Sequence, residues 1–127
     1  MADFHIEIQR VTGTSAVVKI SGDMTNADFG SLEEEFNQLL ASETLGVALD
    51  LSGLESISSA GLGAILNMNA ILAGNNGKLL IASPRLKMIG GFELLGLQNS
   101  VEIVDKLDQA KKMIASIKKE EKETGAE

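Results

Sequence analysis

The residue types best placed to do chemistry lie between Glu55 and Leu66, which read Glu-Ser-Ile-Ser-Ser-Ala-Gly-Leu-Gly-Ala-Ile-Leu. Ser58 and Ser59 stand where an apolar helical pattern begins, and Gly61 and Gly63 fall in what should be its first turns. A serine hydroxyl at a helix start can accept a hydrogen bond from one of the free backbone N–H groups. Glycine inside a helix costs about 0.5–1 kcal/mol relative to alanine, so the pair lowers helix propensity where a helix is expected. Two accounts fit. In the first, Ser58 or Ser59 is a cap and the glycines let the helix pack closely on a sheet; on these residues alone this is the stronger account. In the second, the small residues leave backbone open to another protein, and a hydroxyl at the helix start is a site for a phosphate. The helix dipole and the free N–H groups favour negative charge there. Phosphorylation would add about −1.5 to −2 charges and change the surface without breaking the fold.

The elements around this segment follow from periodicity. Phe4, Ile6 and Ile8 alternate with His5, Glu7 and Gln9, a strand pattern. Thr12-Gly13-Thr14 signals a turn, and residues 16–20 give a second strand, so the chain opens with an antiparallel hairpin. Thr25 or Asn26 can cap a helix whose apolar side carries Phe29, Leu32, Phe36, Leu39 and Leu40. Residues 45–51 read as a third strand and residues 52–58 as a polar loop. A second helix is expected from Ser59 to about Ala73, ended by Asn75-Asn76-Gly77. A fourth strand follows over 78–82. Ser83-Pro84 then reads as the start of a helix over about 85–95, because proline suits the first helical position. A last strand over 101–104 leads to a final helix, with Asp105 and Asp108 placed as a capping box and Leu107, Ala110, Ile114 and Ile117 on its apolar side. This order predicts an α/β domain with a mixed sheet, opened by an N-terminal hairpin and covered by about four helices. The domain is expected over 1–117, with 118–127 a charged, frayed tail. In open α/β sheets functional groups gather where strands end and helices begin, which points to two loops, residues 22–26 and 52–60.

Composition narrows the function classes. The 127 residues suit one domain, and 44% hydrophobic content suits a folded one. Aromatics make up 3%, so the core must be aliphatic. No cysteine is present, which excludes disulfides and thiolate metal sites and fits a reducing, cytoplasmic compartment. The formal net charge of −7 opposes nucleic-acid binding, which relies on Lys and Arg neutralising phosphates. The charge either keeps the domain soluble or meets a basic patch on a protein partner. No apolar run approaches the roughly 20 residues needed to span a bilayer, so no membrane insertion is expected. His5 is the sole histidine, on the polar side of a strand pattern, too few ligands for a metal site. Gly61-Leu62-Gly63 lacks the third glycine of a dinucleotide fingerprint and no P-loop exists, so no cofactor is expected. A serine nucleophile needs a base, and no histidine or lysine lies near Ser59 in sequence, so the chain does not read as an enzyme. Asp50, inside an apolar strand, either points to solvent or caps the loop that follows.

Leu49-Asp50-Leu51-Ser52-Gly53-Leu54 followed by Ile57-Ser58-Ser59-Ala60-Gly61-Leu62-Gly63 resembles the signature of the STAS domain of bacterial anti-sigma-factor antagonists. Ile20-Ser21-Gly22-Asp23, Ser83-Pro84 and Glu93-Leu94-Leu95-Gly96-Leu97 fit the same family layout, so the resemblance spans roughly residues 4–117. It implies a partner-switching protein that regulates transcription. Such an antagonist binds an anti-sigma factor that is also a serine kinase, is released when the kinase phosphorylates it, and is restored by a serine phosphatase. Aligned on Gly61-Leu62-Gly63, the phosphorylated serine falls on Ser59, with Ser58 the second choice. The implied partner-binding residues are Asp23, Met24, Thr25, Asn26, Ser58, Ser59, Ala60, Gly61 and Leu62. A weak dimer is compatible with the resemblance. Two positions depart from the family pattern: Ser58 stands where an aspartate often precedes the phosphorylated serine, and Thr25 stands at an often acidic position. These departures motivate an alternative, a non-phosphorylated STAS interaction subunit of a signalling scaffold or envelope transport complex.

Overall fold

A computed structural model describes residues 3–82 and 101–117. Five strands form one sheet in the order β1-β2-β3-β4-β5: β1 (His5–Thr12), β2 (Ser15–Met24), β3 (Gly46–Ile57), β4 (Lys78–Ala82) and β5 (Glu102–Val104). The first pair is antiparallel and the other three are parallel, which is the expected mixed sheet opened by a hairpin. Among the described residues there are three α-helices, α1 (Phe29–Ala41), α2 (Ser59–Gly74) and α3 (Leu107–Ala115), and one 3-10 turn over Asn26–Asp28. The expected helix over 85–95, the Ser83-Pro84 start, the 93–97 stretch and the tail at 118–127 lie outside the described residues.

The sheet separates two layers of aliphatic core. On one side Val18, Ile20, Leu49, Leu51, Leu79 and Ile81 meet Leu32, Phe36 and Leu39 of α1 and Leu62, Ile65, Met68 and Leu72 of α2, all buried. On the other, Val17, Ala48, Leu80, Ala82 and Val104 meet Ala110 and Ile114 of α3. The central strands are covered on both faces at these levels, so they read as near-continuous apolar runs, as parallel strands do.

The central strands run further than periodicity predicts. Residues 22–26 and 52–58 were expected as loops, yet β2 continues to Met24 and β3 to Ile57, paired as Ser21↔Gly53, Gly22↔Leu54, Asp23↔Ser56 and Met24↔Ile57. The register shifts twice on the way, between Lys19 and Ser21 and between Gly22 and Asp23, each time giving β3 one more residue than β2. Extra residues of this kind break the period-2 alternation that marks a strand. Gly22 sits at the second irregularity with φ of 87°, a left-handed conformation that suits glycine. At the first, buried Asp50 turns its carboxylate back, and Oδ1 accepts the Ser52 N–H at 3.0 Å. Of the two roles open to Asp50, the structure selects the cap.

Helix ends follow local chemistry with one correction. Thr25, rather than Asn26, is the cap at the entry to the 3-10 turn: its hydroxyl accepts the Ala27 N–H at 3.2 Å, and Asp28 Oδ2 accepts the Thr25 N–H at 2.9 Å. At the end of α2, Asn76 takes a left-handed φ of 65° and the Gly77 N–H reaches the Leu72 carbonyl at 2.7 Å, closing the last turn. The expected capping box at Asp105 and Asp108 does not form. Lys106 is the N-cap of α3 and makes no side-chain cap bond; Asp108 instead lies in the first turn, where its charge favours the helix dipole.

Candidate functional site

The site is built where β2 and β3 end side by side and deliver the chain into α1 and α2. Parallel pairing brings Met24 opposite Ile57, so the residues that follow them, Thr25 and Ser58, begin their respective turns as neighbours. The 3-10 turn Asn26–Asp28 touches α2 directly. The two segments singled out from sequence, 22–26 and 52–60, thus form one surface.

Ser58 and Ser59 have different roles there. Ser58 is the N-cap, in extended backbone with φ −78° and ψ 164°, and its Oγ accepts the Gly61 N–H at 3.1 Å. Ser59 is the first helical residue and is exposed; among the described residues its hydroxyl has no hydrogen-bond partner. The cap role that sequence left open between the two serines therefore falls to Ser58. A side-chain oxygen at the N-cap reaches back over the first turn, whereas one at the first helical position projects outward beside the free N–H groups.

The two glycines also separate. Gly61 is buried, and a Cβ there would lie 2.5 Å from Met24 Sδ and 2.9 Å from Ile57 Cγ1. Only a hydrogen in place of a side chain lets α2 approach the ends of both strands this closely. Gly63 is exposed, with nothing within 4 Å of a Cβ built on it. The packing account is right for Gly61 and does not apply to Gly63, which leaves bare helix backbone at the surface.

The residues expected to face a partner divide by burial. Thr25, Asn26 and Ser59 are exposed, and Asp23, Ser58 and Ala60 are half-buried. Met24, Gly61 and Leu62 are buried, so they position the surface from beneath. Sequence reasoning missed Ser56, whose Oγ donates to Asp23 Oδ1 at 2.7 Å and ties the two strand ends together, and Ile57, the second wall against Gly61. The extra residue Glu55, between Leu54 and Ser56, put Ser56 out of phase with any simple alternation and hid both. His5 stands on the sheet face away from α2, opposite Ser21 in register, so it cannot serve Ser59 as a base.

Comparison with known proteins agrees with this fold. The profile of the family described as "Mlab, STAS domain" matches residues 9–105, and the chain belongs to the STAS domain family. Among solved structures, a putative anti-sigma factor antagonist from Thermotoga maritima superposes with a TM-score of 0.79 at 21% identity, covering 87% of this chain and 94% of that one. An anti-sigma factor antagonist from Mycobacterium paratuberculosis gives 0.79 at 19% identity, with 90% and 96% covered. The antagonist SpoIIAA in its unphosphorylated form gives 0.75 at 16% identity, with 89% and 100% covered. At these identities the likeness is one of fold. No curated protein sequence matches the chain.

Proposed function

We propose that the chain is an anti-sigma-factor antagonist: a binding module that docks on an anti-sigma factor with serine kinase activity and is released when Ser59 is phosphorylated. The observation that carries this reading is the division of labour between the two serines. Ser58 Oγ is engaged with the Gly61 N–H, while Ser59 is exposed one residue on, its hydroxyl without a hydrogen-bond partner among the described residues. A phosphate on Ser59 would lie beside the Ser59 and Ala60 N–H groups at the positive end of α2, where an anion is stabilised. It would leave the Ser58 cap intact, so the fold survives and only the surface changes. Around it, Thr25, Asn26, Ala60 and Gly63 are small or uncharged, which suits a partner approaching close to the backbone. About −1.5 to −2 added charges in the middle of such a contact would be poorly accommodated by a partner already seated there. A serine phosphatase would then restore binding.

The test is a binding titration against the candidate kinase, with Ser59→Asp and Ser59→Ala beside the native chain. Ser59→Ala should bind as the native chain does, and Ser59→Asp should bind at least 10-fold more weakly. Equal affinity for both variants would refute the switch. A second reading, a STAS interaction subunit that is never phosphorylated, is favoured by one feature: Ser58 occupies the position where an acidic residue is common in the switching members. Stable association with transport or scaffold proteins, with no kinase among them, would support that reading against the first.

A further inference from the structure

We infer that the sheet face opposite α1 and α2 carries a binding site for a small zwitterion, an aliphatic α-amino acid, held between Asp50 and Lys19. The site is a cavity of about 380 Å³ lined by Val17, Lys19, Asp50 and Leu107 together with Glu7 and Gln9 of β1. Ligand pockets begin at roughly 300 Å³, so the space suits a small molecule. The strand register explains the lining. Glu7, Lys19 and Asp50 are partners across three neighbouring strands, and Gln9, Val17 and Ala48 form the next row on the same face. Helix α3 packs over Val17 and Ala48 and begins at Leu107, so the charged row lies at the edge of its cover.

Asp50 is the residue that points to a ligand. It is 6% exposed, the one buried charged side chain among the described residues. Its Oδ1 accepts the Ser52 N–H at 3.0 Å, and its other oxygen has no hydrogen-bond or ion-pair partner among those residues. A carboxylate has about four acceptor sites, and a buried charge is costly unless paired, so one backbone bond leaves this group short. Lys19 is its neighbour in register, yet among the described residues it ion-pairs with neither Asp50 nor Glu7. The mixture of charges selects the ligand. A metal ion needs more acidic or imidazole groups than two carboxylates flanking a lysine, and no cluster of three such groups is present among the described residues. An anion such as phosphate would face Glu7 and Asp50 on either side of the Lys19 ammonium, which repel it. A zwitterion satisfies both signs. Its ammonium completes Asp50, its carboxylate takes the Lys19 ammonium one strand away, about 4.8 Å, and its apolar side chain lies on Val17 and Leu107. Helix α2 packs on the other face of the sheet, so this site stands independently of any role for Ser59.

The test is an NMR chemical-shift titration of the full chain with three probes: L-leucine, isoamylamine, which is leucine without its carboxylate, and isocaproate, which is leucine without its ammonium. Leucine should bind saturably in the millimolar range or tighter, shifting the amides around Lys19, Asp50 and Leu107, and each half-ligand should bind at least 10-fold more weakly. Lys19→Gln, at an exposed position, should weaken leucine at least 10-fold and leave isoamylamine as it was. Asp50→Asn, checked as folded by circular dichroism, should weaken both; if it does not fold, Lys19→Gln decides the matter. No saturable shifts up to the solubility limit of leucine would overturn the inference, as would shifts centred on α2. Isoamylamine binding as tightly as leucine, or leucine binding that Lys19→Gln leaves unchanged, would equally sink it.

Discussion

Alanine placed at Gly61 and at Gly63 should move stability in opposite directions, although the two positions are only two residues apart in the same helix. In a helix interior alanine is favoured over glycine by about 0.8–1.0 kcal/mol. At Gly63 nothing lies within 4 Å of the new methyl, so Gly63→Ala should realise most of that gain, about 0.5–1 kcal/mol. At Gly61 the methyl would meet Met24 Sδ at 2.5 Å and Ile57 Cγ1 at 2.9 Å. Ordinary carbon contacts are about 3.5–4.0 Å, so something must move by roughly an ångström. Met24 is 2% exposed and packed at the end of β2, which limits where its thioether can go. Overpacking of a closed site costs about 1–3 kcal/mol; set against the propensity gain, Gly61→Ala should be destabilised by about 1 kcal/mol net. The two variants should therefore differ by roughly 2 kcal/mol, or about 8 °C in melting midpoint at this chain length. Urea denaturation with the slope held common measures both. A Gly63→Ala less stable than Gly61→Ala would refute the claim that only Gly61 is a packing glycine.

Three further outcomes follow. Ser58→Ala should cost about 1 kcal/mol through the lost cap, whereas Ser59→Ala should be neutral within about 0.5 kcal/mol; chemical denaturation of the pair separates the roles. Thr25→Ala removes the capping hydroxyl of the 3-10 turn and should cost about 1 kcal/mol, with hydrogen exchange rising over residues 25–29 ahead of the rest of the fold. Gly77→Ala should be the most damaging of these, because its methyl would strike the Leu45 carbonyl oxygen of the backbone, which cannot swing away; a loss of more than about 2 kcal/mol is expected in the same denaturation assay.

Much of this architecture is written in local patterns, and what escapes has a physical reason in each case. The 3.6-residue stripe from Leu32 to Leu39 and the Ser58-to-Asn76 span carry their own start and stop chemistry, so α1 and α2 are legible. The far ends of β2 and β3 are not. Gly22, Asp23, Ser56 and Ser52 are residue types that usually mark loops, and they are strand here because each strand supplies the other's hydrogen bonds across a register that shifts twice. Pairing of that kind is a long-range fact with no local signature. The site shares this division. Paired serines ahead of Gly61 and Gly63 announce a helix start, but which serine caps it depends on backbone angles at Ser58. Which glycine is packed depends on Met24, which lies far away in sequence.

The central claim is that Ser59 is the switch and Ser58 the cap. Its most direct test is incubation of the full chain with the candidate anti-sigma kinase and ATP, followed by mass-spectrometric location of the phosphate. The account predicts a single phosphate on Ser59, absent from Ser59→Ala and retained in Ser58→Ala. A phosphate on Ser58, or elsewhere in the chain, would contradict it.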